Sequence, residues 1–290
     1  MTHIISHLSD IQDRYDVLYC DLWGCLHNGQ NVFPDAVAAL QAFRAKGGTV
    51  ILVTNAPRPR RSVAAQIATF GAPGDCWDDI STSGDAAQRA LARGDYGRKV
   101  YHLGPEKDLP FFHDRDGNPF DLQRVDLEEA ESIICTGLWD DRTETPEDYR
   151  LVLMRAKSRG LRMLCANPDV IVDVGDQRIY CAGALAQFYT ELGGEVDLFG
   201  KPHPPIYALA RARAEKERGG PVEDARILCV GDGIHTDIKG GLGENLDTLF
   251  ITGGLAAEET ETATDPDANK LAAYVAAHQM SPTWAIGYLR

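Results

Sequence analysis

The sequence predicts an α/β protein, a parallel sheet flanked by helices, with a second α/β unit set into it. Three observations carry this. Apolar strand-like runs alternate with amphipathic helical stretches along the 290 residues. The first strand, helix and second strand are joined by short connections, which implies parallel strands with the helix packed across them. A fresh alternation then begins at Lys99 and continues to Leu192, a stretch of about 100 residues and so of ordinary domain size.

Val17 to Cys20 is an apolar run that reads as a buried strand, and Asp21 stands where the strand ends and a glycine-bearing loop begins. Pro34 to Lys46 places Val37, Leu40 and Phe43 at helical spacing, with Gly47-Gly48 as a stop. Thr49 to Val53 is a second strand, ending in Thr54-Asn55. Pro57-Arg58-Pro59-Arg60-Arg61 leads into a helix from Ser62 to Phe70, and Ser83 to Arg93 reads as another. Arginines at a helix entrance oppose the macrodipole, which favours negative charge there. Arg58 is therefore a candidate for facing an anion, while Arg60 and Arg61 read as a solvated basic turn.

In the second unit, Val100 to Leu103 and Ser132 to Cys135 are strands, with a helix-like piece at Glu106 to Phe112 and a turn at Arg115-Asp116-Gly117-Asn118-Pro119. Pro146 to Arg159 reads as a helix opened by proline and closed by Gly160, Leu161 to Cys165 as a strand, and Gly183 to Leu192 as a helix. Val196 to Phe199 then leads to Gly200-Lys201-Pro202 and a helix from Ile206 to Arg218. Arg226 to Val230 is a strand whose end carries Gly231-Asp232-Gly233-Ile234-His235-Thr236-Asp237. Leu246 to Ile251 is the last strand of the pattern, followed by an acidic tract, Glu258 to Asp267, read as solvated surface, and a helix from Leu271 to His278.

The chain is 44% hydrophobic and 25% charged, with no signal-like leader and no run of roughly 18 apolar residues, so the cytoplasm is the expected location. A net charge of −14 argues against nucleic acid or anionic membrane as partner. Seven cysteines, most of them in strand-like runs, read as reduced, buried thiols, and Cys25-Leu26-His27 lacks the partners of a zinc site.

Taken singly, Asp21 could cap a turn, Thr54 a helix, Lys201 could be a surface lysine and Asp232 a turn former. Together, at strand ends where open parallel sheets bind ligands, they supply a nucleophile, hydrogen-bond donors, a cation and metal-binding carboxylates, which is the kit of phosphoryl transfer.

The order Asp21-Leu22-Trp23-Gly24, Val53-Thr54-Asn55, Gly200-Lys201-Pro202 and Gly231-Asp232-Gly233 with Thr236-Asp237 resembles the four motifs of the haloacid dehalogenase (HAD) superfamily. Within it, the chain resembles the sugar-phosphate, nitrophenyl-phosphate and pyridoxal-phosphate phosphatases with a large α/β cap; Thr82-Ser83, Cys165-Ala166-Asn167-Pro168-Asp169 and Ala182-Gly183-Ala184 extend the similarity. The resemblance implies a Rossmann-like parallel-sheet HAD core of residues 1–96 and 197–290 with an inserted α/β cap of residues 97–196. It also implies Asp21 as phosphoryl acceptor, and Mg²⁺ held by Asp21, Asp232 and the Trp23 carbonyl. Thr54 and Lys201 are expected to clamp phosphoryl oxygens, with Asp237 orienting metal-bound water or Lys201. Asn55, Arg58, Asn167 and Asp169 are the expected substrate-side residues, and exposed cap surface is expected to support a homodimer.

One position departs from the pattern. Where such phosphatases carry an aspartic acid that protonates the leaving group, this chain has Trp23, and losing a general acid commonly costs about 10² to 10⁴ in rate. Three functions are compatible with that change. The first is a Mg²⁺-dependent hydrolase of a small phosphate ester, with His27, a cap residue or metal-bound water supplying the proton, or with a leaving group acidic enough to need none. The second is a phosphate-ligand binder with slow turnover. The third is a metal-independent dehalogenase-like hydrolase.

Overall fold

The computed structural model describes residues 2–114, 117–174 and 177–290. In chain order its first strands are β1 (His3–Ile4), β2 (Val17–Cys20), β3 (Thr49–Thr54) and β4 (Asp79–Thr82). They are followed by β5 (Lys99–Leu103), β6 (Gln123–Arg124), β7 (Ser132–Cys135), β8 (Arg162–Cys165), β9 (Ile171–Val174), β10 (Gln177–Tyr180) and β11 (Val196–Leu198). The last three are β12 (Ile227–Gly231), β13 (Asp247–Ile251) and β14 (Trp284–Ile286). The helices are α1 (Pro34–Ala45), α2 (Arg60–Thr69), α3 (Ser83–Ala92), α4 (Arg150–Ser158), α5 (Ala182–Glu191), α6 (Pro204–Arg218), α7 (Lys239–Gly243) and α8 (Ala268–Ala277).

These elements form two compact units, one of residues 1–54, 64–81 and 207–290, the other of residues 55–63 and 82–206. The first holds a seven-stranded sheet in the order β1-β14-β13-β12-β2-β3-β4. β2, flanked by β12 and β3, pairs parallel with both. Its four residues are all buried, as expected of a strand covered on both faces, and each such aliphatic side chain contributes about 1.5–3 kcal/mol by leaving water. α1 begins at Pro34, whose fixed φ suits the first helical turn, and buries Ala36, Leu40 and Phe43. On the far side, Phe250, Leu271 and Ala285 join Ile234 and Ile238 in a core cluster that seats α8.

The second unit has a five-stranded parallel sheet, β11-β8-β7-β5-β6, and an antiparallel hairpin of β9 and β10. Its core gathers Ile133, Cys135, Met163 and Cys165 from the strands with Leu153, Leu185 and Tyr189 from α4 and α5. The segment after β3 and the helix α3 belong to this unit. The reason is local. Gln88 of α3 donates from Nε2 to the carbonyls of Phe111 and His113 at 2.8 and 2.9 Å, and Gly84 packs on the Pro57 and Arg58 carbonyls, leaving no room for a Cβ.

Other differences from the sequence reading are short or edge elements. The helix expected from Pro146 is split into a 3₁₀ turn, Pro146–Tyr149, and α4. Tyr149 anchors that turn, accepting from the Trp139 N–H at 2.6 Å and donating to Glu144. In the acidic tract the carboxylates face solvent, but Thr252, Thr260 and Thr262 are buried and joined by hydroxyl hydrogen bonds. Of the turn expected at 115–119, Arg115 and Asp116 lie outside the described residues, while Gly117 takes φ +88° and donates to the Asp114 carbonyl.

Candidate active site

In the first unit the chain leaves β2 toward β3 and β4 on one side and later returns to build β12, β13 and β14 on the other. The carboxyl ends of β2 and β12 therefore meet at a topological switch point, the place where open parallel sheets leave a crevice. Asp21 follows β2, with its N–H bonded to the Val230 carbonyl at 2.9 Å, and Asp232 follows β12. Both are buried, and one ligand atom each from Asp21, Asp232 and Cys25 lie within 4.8 Å of one another. Thr54 closes the adjacent strand β3.

Three glycines shape the cradle. Gly24 sits at φ +73°, a conformation that disfavours any Cβ, and a Cβ there or at Gly254 would overlap the Asp232 carboxylate. The next residue, Leu255, donates its N–H to Asp232 Oδ2 at 3.2 Å. Gly231 is likewise closed against Asp237, whose Oδ2 accepts from the Gly233 N–H at 3.2 Å and from the Thr236 hydroxyl at 3.1 Å. Asp237 lies in a single π-turn, Ile234–Ile238, that ties it to the loop carrying Asp232.

Two buried carboxylates facing one another repel unless a cation or a proton lies between them, and hard oxygen donors suit a divalent cation. Cys25 differs in kind from the two carboxylates: sulfur is a soft donor that a hard divalent cation disfavours, and burial, with the Asp232 and Asp21 charges beside it, pushes its thiol well above the usual range. Sequence reading left Cys25, Gly254 and Leu255 out of the site. The available signal was Thr252-Gly253-Gly254, a further polar strand end beyond β13.

Trp23 remains 40% exposed. Its indole lies over Gly29, where no Cβ has room, and meets His27 edge-on at 5.5 Å between ring centroids. His27 packs in turn on Phe70 at 5.1 Å and accepts the Gly29 N–H at Nδ1, 3.0 Å. Burial pushes its pKa down to about 4. The ring favours its neutral form near pH 7, and its ring contacts are packing contacts.

The remaining expected site residues belong to the second unit. Asn55 Oδ1 accepts from the Lys201 N–H at 2.7 Å, while Nδ2 donates to the Lys201 carbonyl at 3.2 Å and to Asp169 Oδ1 at 2.7 Å. Both ends of its amide are bonded within the protein, so Asn55 fastens Lys201 and Asp169. Lys201 itself is 4% exposed. Asn167 turns its Oδ1 back to the Asp169 N–H at 3.0 Å, closing its own loop. Burial raises the Asp108 carboxyl, and Lys107, Thr136 and the charge of Arg58 partly draw it back down.

Residues 18–116 match the family model of haloacid dehalogenase-like hydrolases, and residues 198–278 match a second model, HAD-hydrolase-like. A crystal structure of a hydrolase of the haloacid dehalogenase-like family from Brucella suis 1330 is 44% identical, covers 99% of this chain and 100% of its own, and superposes with a TM-score of 0.85. The chain belongs to the haloacid dehalogenase-like hydrolase family. Among curated relatives, the 5'-nucleotidase YutF of Bacillus subtilis (strain 168) is 24% identical over 83% of this chain and 89% of its own. The ribonucleotide monophosphatase NagD of Escherichia coli (strain K12) is 25% identical over 82% of this chain and 88% of its own. As for setting, no helix among the described residues is long and apolar enough to cross a membrane.

Proposed function

We propose that this protein is a Mg²⁺-dependent phosphatase of small phosphate esters, with Asp21 as the phosphoryl acceptor. The observation that carries the reading is the convergence of the buried Asp21 and Asp232 carboxylates at the sheet's switch point. Relatives named as a nucleotidase and a ribonucleotide monophosphatase support the same reaction class. Asp21, Asp232 and the Trp23 carbonyl are the residues to hold Mg²⁺, which when bound offsets phosphoryl charge. Asp21 attacks phosphorus to form an aspartyl-phosphate, which water then hydrolyses. Thr54 and, assigned from its Gly200-Lys201-Pro202 motif, Lys201 bind oxygens of the transferring group, and Asp237 keeps the Asp232 loop in place. Seven cysteines, none in a disulfide, fit a reducing, cytoplasmic setting.

A second reading, a phosphate-ligand binder with slow turnover, is favoured by Trp23 together with the neutral His27. The test is phosphate release from nucleoside and aryl monophosphates with Mg²⁺ or with chelator, for the wild-type protein and Asp21→Asn. Metal-dependent release that disappears in the variant supports the phosphatase. Saturable ligand binding with no release supports the binder, and halide release from haloacids without metal sinks both.

A further inference from the structure

We infer that this site acts on phosphoryl compounds whose leaving group departs as a delocalised, stable anion, an aryl oxide or a carboxylate, held against the exposed indole of Trp23. The inference rests on the reading of Asp21 as phosphoryl acceptor.

The rim of the carboxylate pair carries it. Gly24 and Gly254 approach Asp232 so closely that neither tolerates a Cβ. The residues beside them, Trp23 and Leu255, therefore flank the same carboxylate, and they stand 40% and 68% exposed. A carboxylate pair suited to a divalent cation, with exposed apolar residues next to it in the chain, is matched to a ligand whose anionic end meets that cation and whose other end is flat or apolar. The indole is also held in place: it lies on Gly29, meets His27 edge-on, and His27 rests on Phe70. A fixed aromatic face left open to solvent is a stacking platform for a planar group.

Among the described residues of the first unit, Trp23 and Leu255 bring no acid to this rim. Indole and isobutyl side chains have no proton to give, and the buried His27 ring is enclosed between Trp23 and Phe70, away from an incoming ligand. The bonds change accordingly. An Asp21 oxygen attacks phosphorus, the bond from phosphorus to the leaving oxygen breaks, and the electron pair leaves on that oxygen as a phenolate or carboxylate. Water then attacks phosphorus, the Asp21 oxygen departs as carboxylate, and both water protons stay with the released phosphate. An alkoxide cannot leave unprotonated at a useful rate, so alkyl esters are disfavoured.

The experiment compares acetyl phosphate, 4-nitrophenyl phosphate, phenyl phosphate and glycerol phosphate with Mg²⁺, for wild type, Trp23→Asp, Trp23→Phe and Asp21→Asn. In the wild-type protein kcat/KM should fall steeply with rising leaving-group pKa, and acid quench during turnover should trap phosphoryl label on the chain. Trp23→Asp restores a carboxylic acid and should raise the glycerol phosphate to 4-nitrophenyl phosphate ratio on the order of 10²-fold, the usual worth of a general acid. Trp23→Phe keeps an aromatic face without an acid and should keep the steep profile, so the inference stays testable if the aspartate variant does not fold. Asp21-dependent release with a flat profile, or an unchanged ratio in a folded Trp23→Asp protein, overturns this inference alone. Release that survives Asp21→Asn overturns the assignment of Asp21, and this inference with it.

Discussion

Asn55 holds Lys201 by the backbone, accepting its N–H at 2.7 Å and donating to its carbonyl at 3.2 Å, across 146 positions of sequence. Gly200 makes room for the grip, since a Cβ there would run into Asn55 Oδ1. Asn55→Ala leaves a buried donor and acceptor unmet, at about 1–3 kcal/mol each. The expected outcome is a lower melting temperature and a drop in kcat larger than the change in KM, checked by calorimetry and steady-state kinetics on one preparation. Unchanged kcat in a folded variant would show that Lys201 keeps its place without the clasp.

Gly254→Ala should separate folding from the centre's chemistry. Gly254 carries no positive φ, so alanine adds no backbone strain there, yet its Cβ must displace the Asp232 carboxylate. Displacing a reacting group by about 1 Å commonly costs on the order of 10² in rate. Weaker Mg²⁺ binding by titration calorimetry and a comparable loss of kcat/KM are expected, with circular dichroism unchanged. Gly24→Ala adds strain at φ +73° to the same clash and should lose thermal stability as well.

His102 gives the protein a pH dependence on the acid side. Burial first, and the charge of Arg124 second, push its pKa down to about 4, with Nε2 placed 3.0 Å from the Thr136 hydroxyl. The unfolded chain takes up that proton nearer pH 6.5, so the stabilisation is complete above that value and is lost as pH falls toward 4. Between about pH 7 and pH 5 this amounts to roughly 1–2 kcal/mol. Urea midpoints for wild type and His102→Gln should converge at the lower pH, and the His102 ring proton should titrate near 4 by NMR.

Thiol chemistry should be quiet in the native state. Six cysteines are buried, and Cys181, the most open of the seven, has its thiol pushed up to about 12 by burial. A disulfide reagent near neutral pH should label the native protein slowly, first at Cys181, and label seven thiols at once in denaturant. Fast native labelling at Cys25 would contradict the packing around Asp21 and Asp232.

The parts of the fold legible in the sequence are those buried on both faces. β2 and β12 are unbroken apolar runs because neighbours cover them above and below, and their polar ends pointed to Asp21 and Asp232 directly. β1 and β6 are two-residue edge strands with exposed side chains, too short for any periodicity to register. Within the site, carboxylates at strand ends could be read, whereas the Asn55 clasp could not, since its partner is remote in sequence. For His27, residue type suggests titration, whereas its enclosure by Trp23, Gly29 and Phe70 could not be read from the sequence.

The pairing of β1 with β14 sets an order of events during synthesis. β1 has one neighbour in the sheet, and that neighbour is β14, through His3 opposite Trp284 and Ile4 opposite Ala285. On a ribosome that makes residue 3 long before residue 284, the earliest strand waits for nearly the whole chain before it can dock. The residues between must fold against an unfinished sheet edge at β13, so Trp284–Ile286 closes the first unit and a nascent chain stopped short of it should remain open to proteases at both β1 and β13.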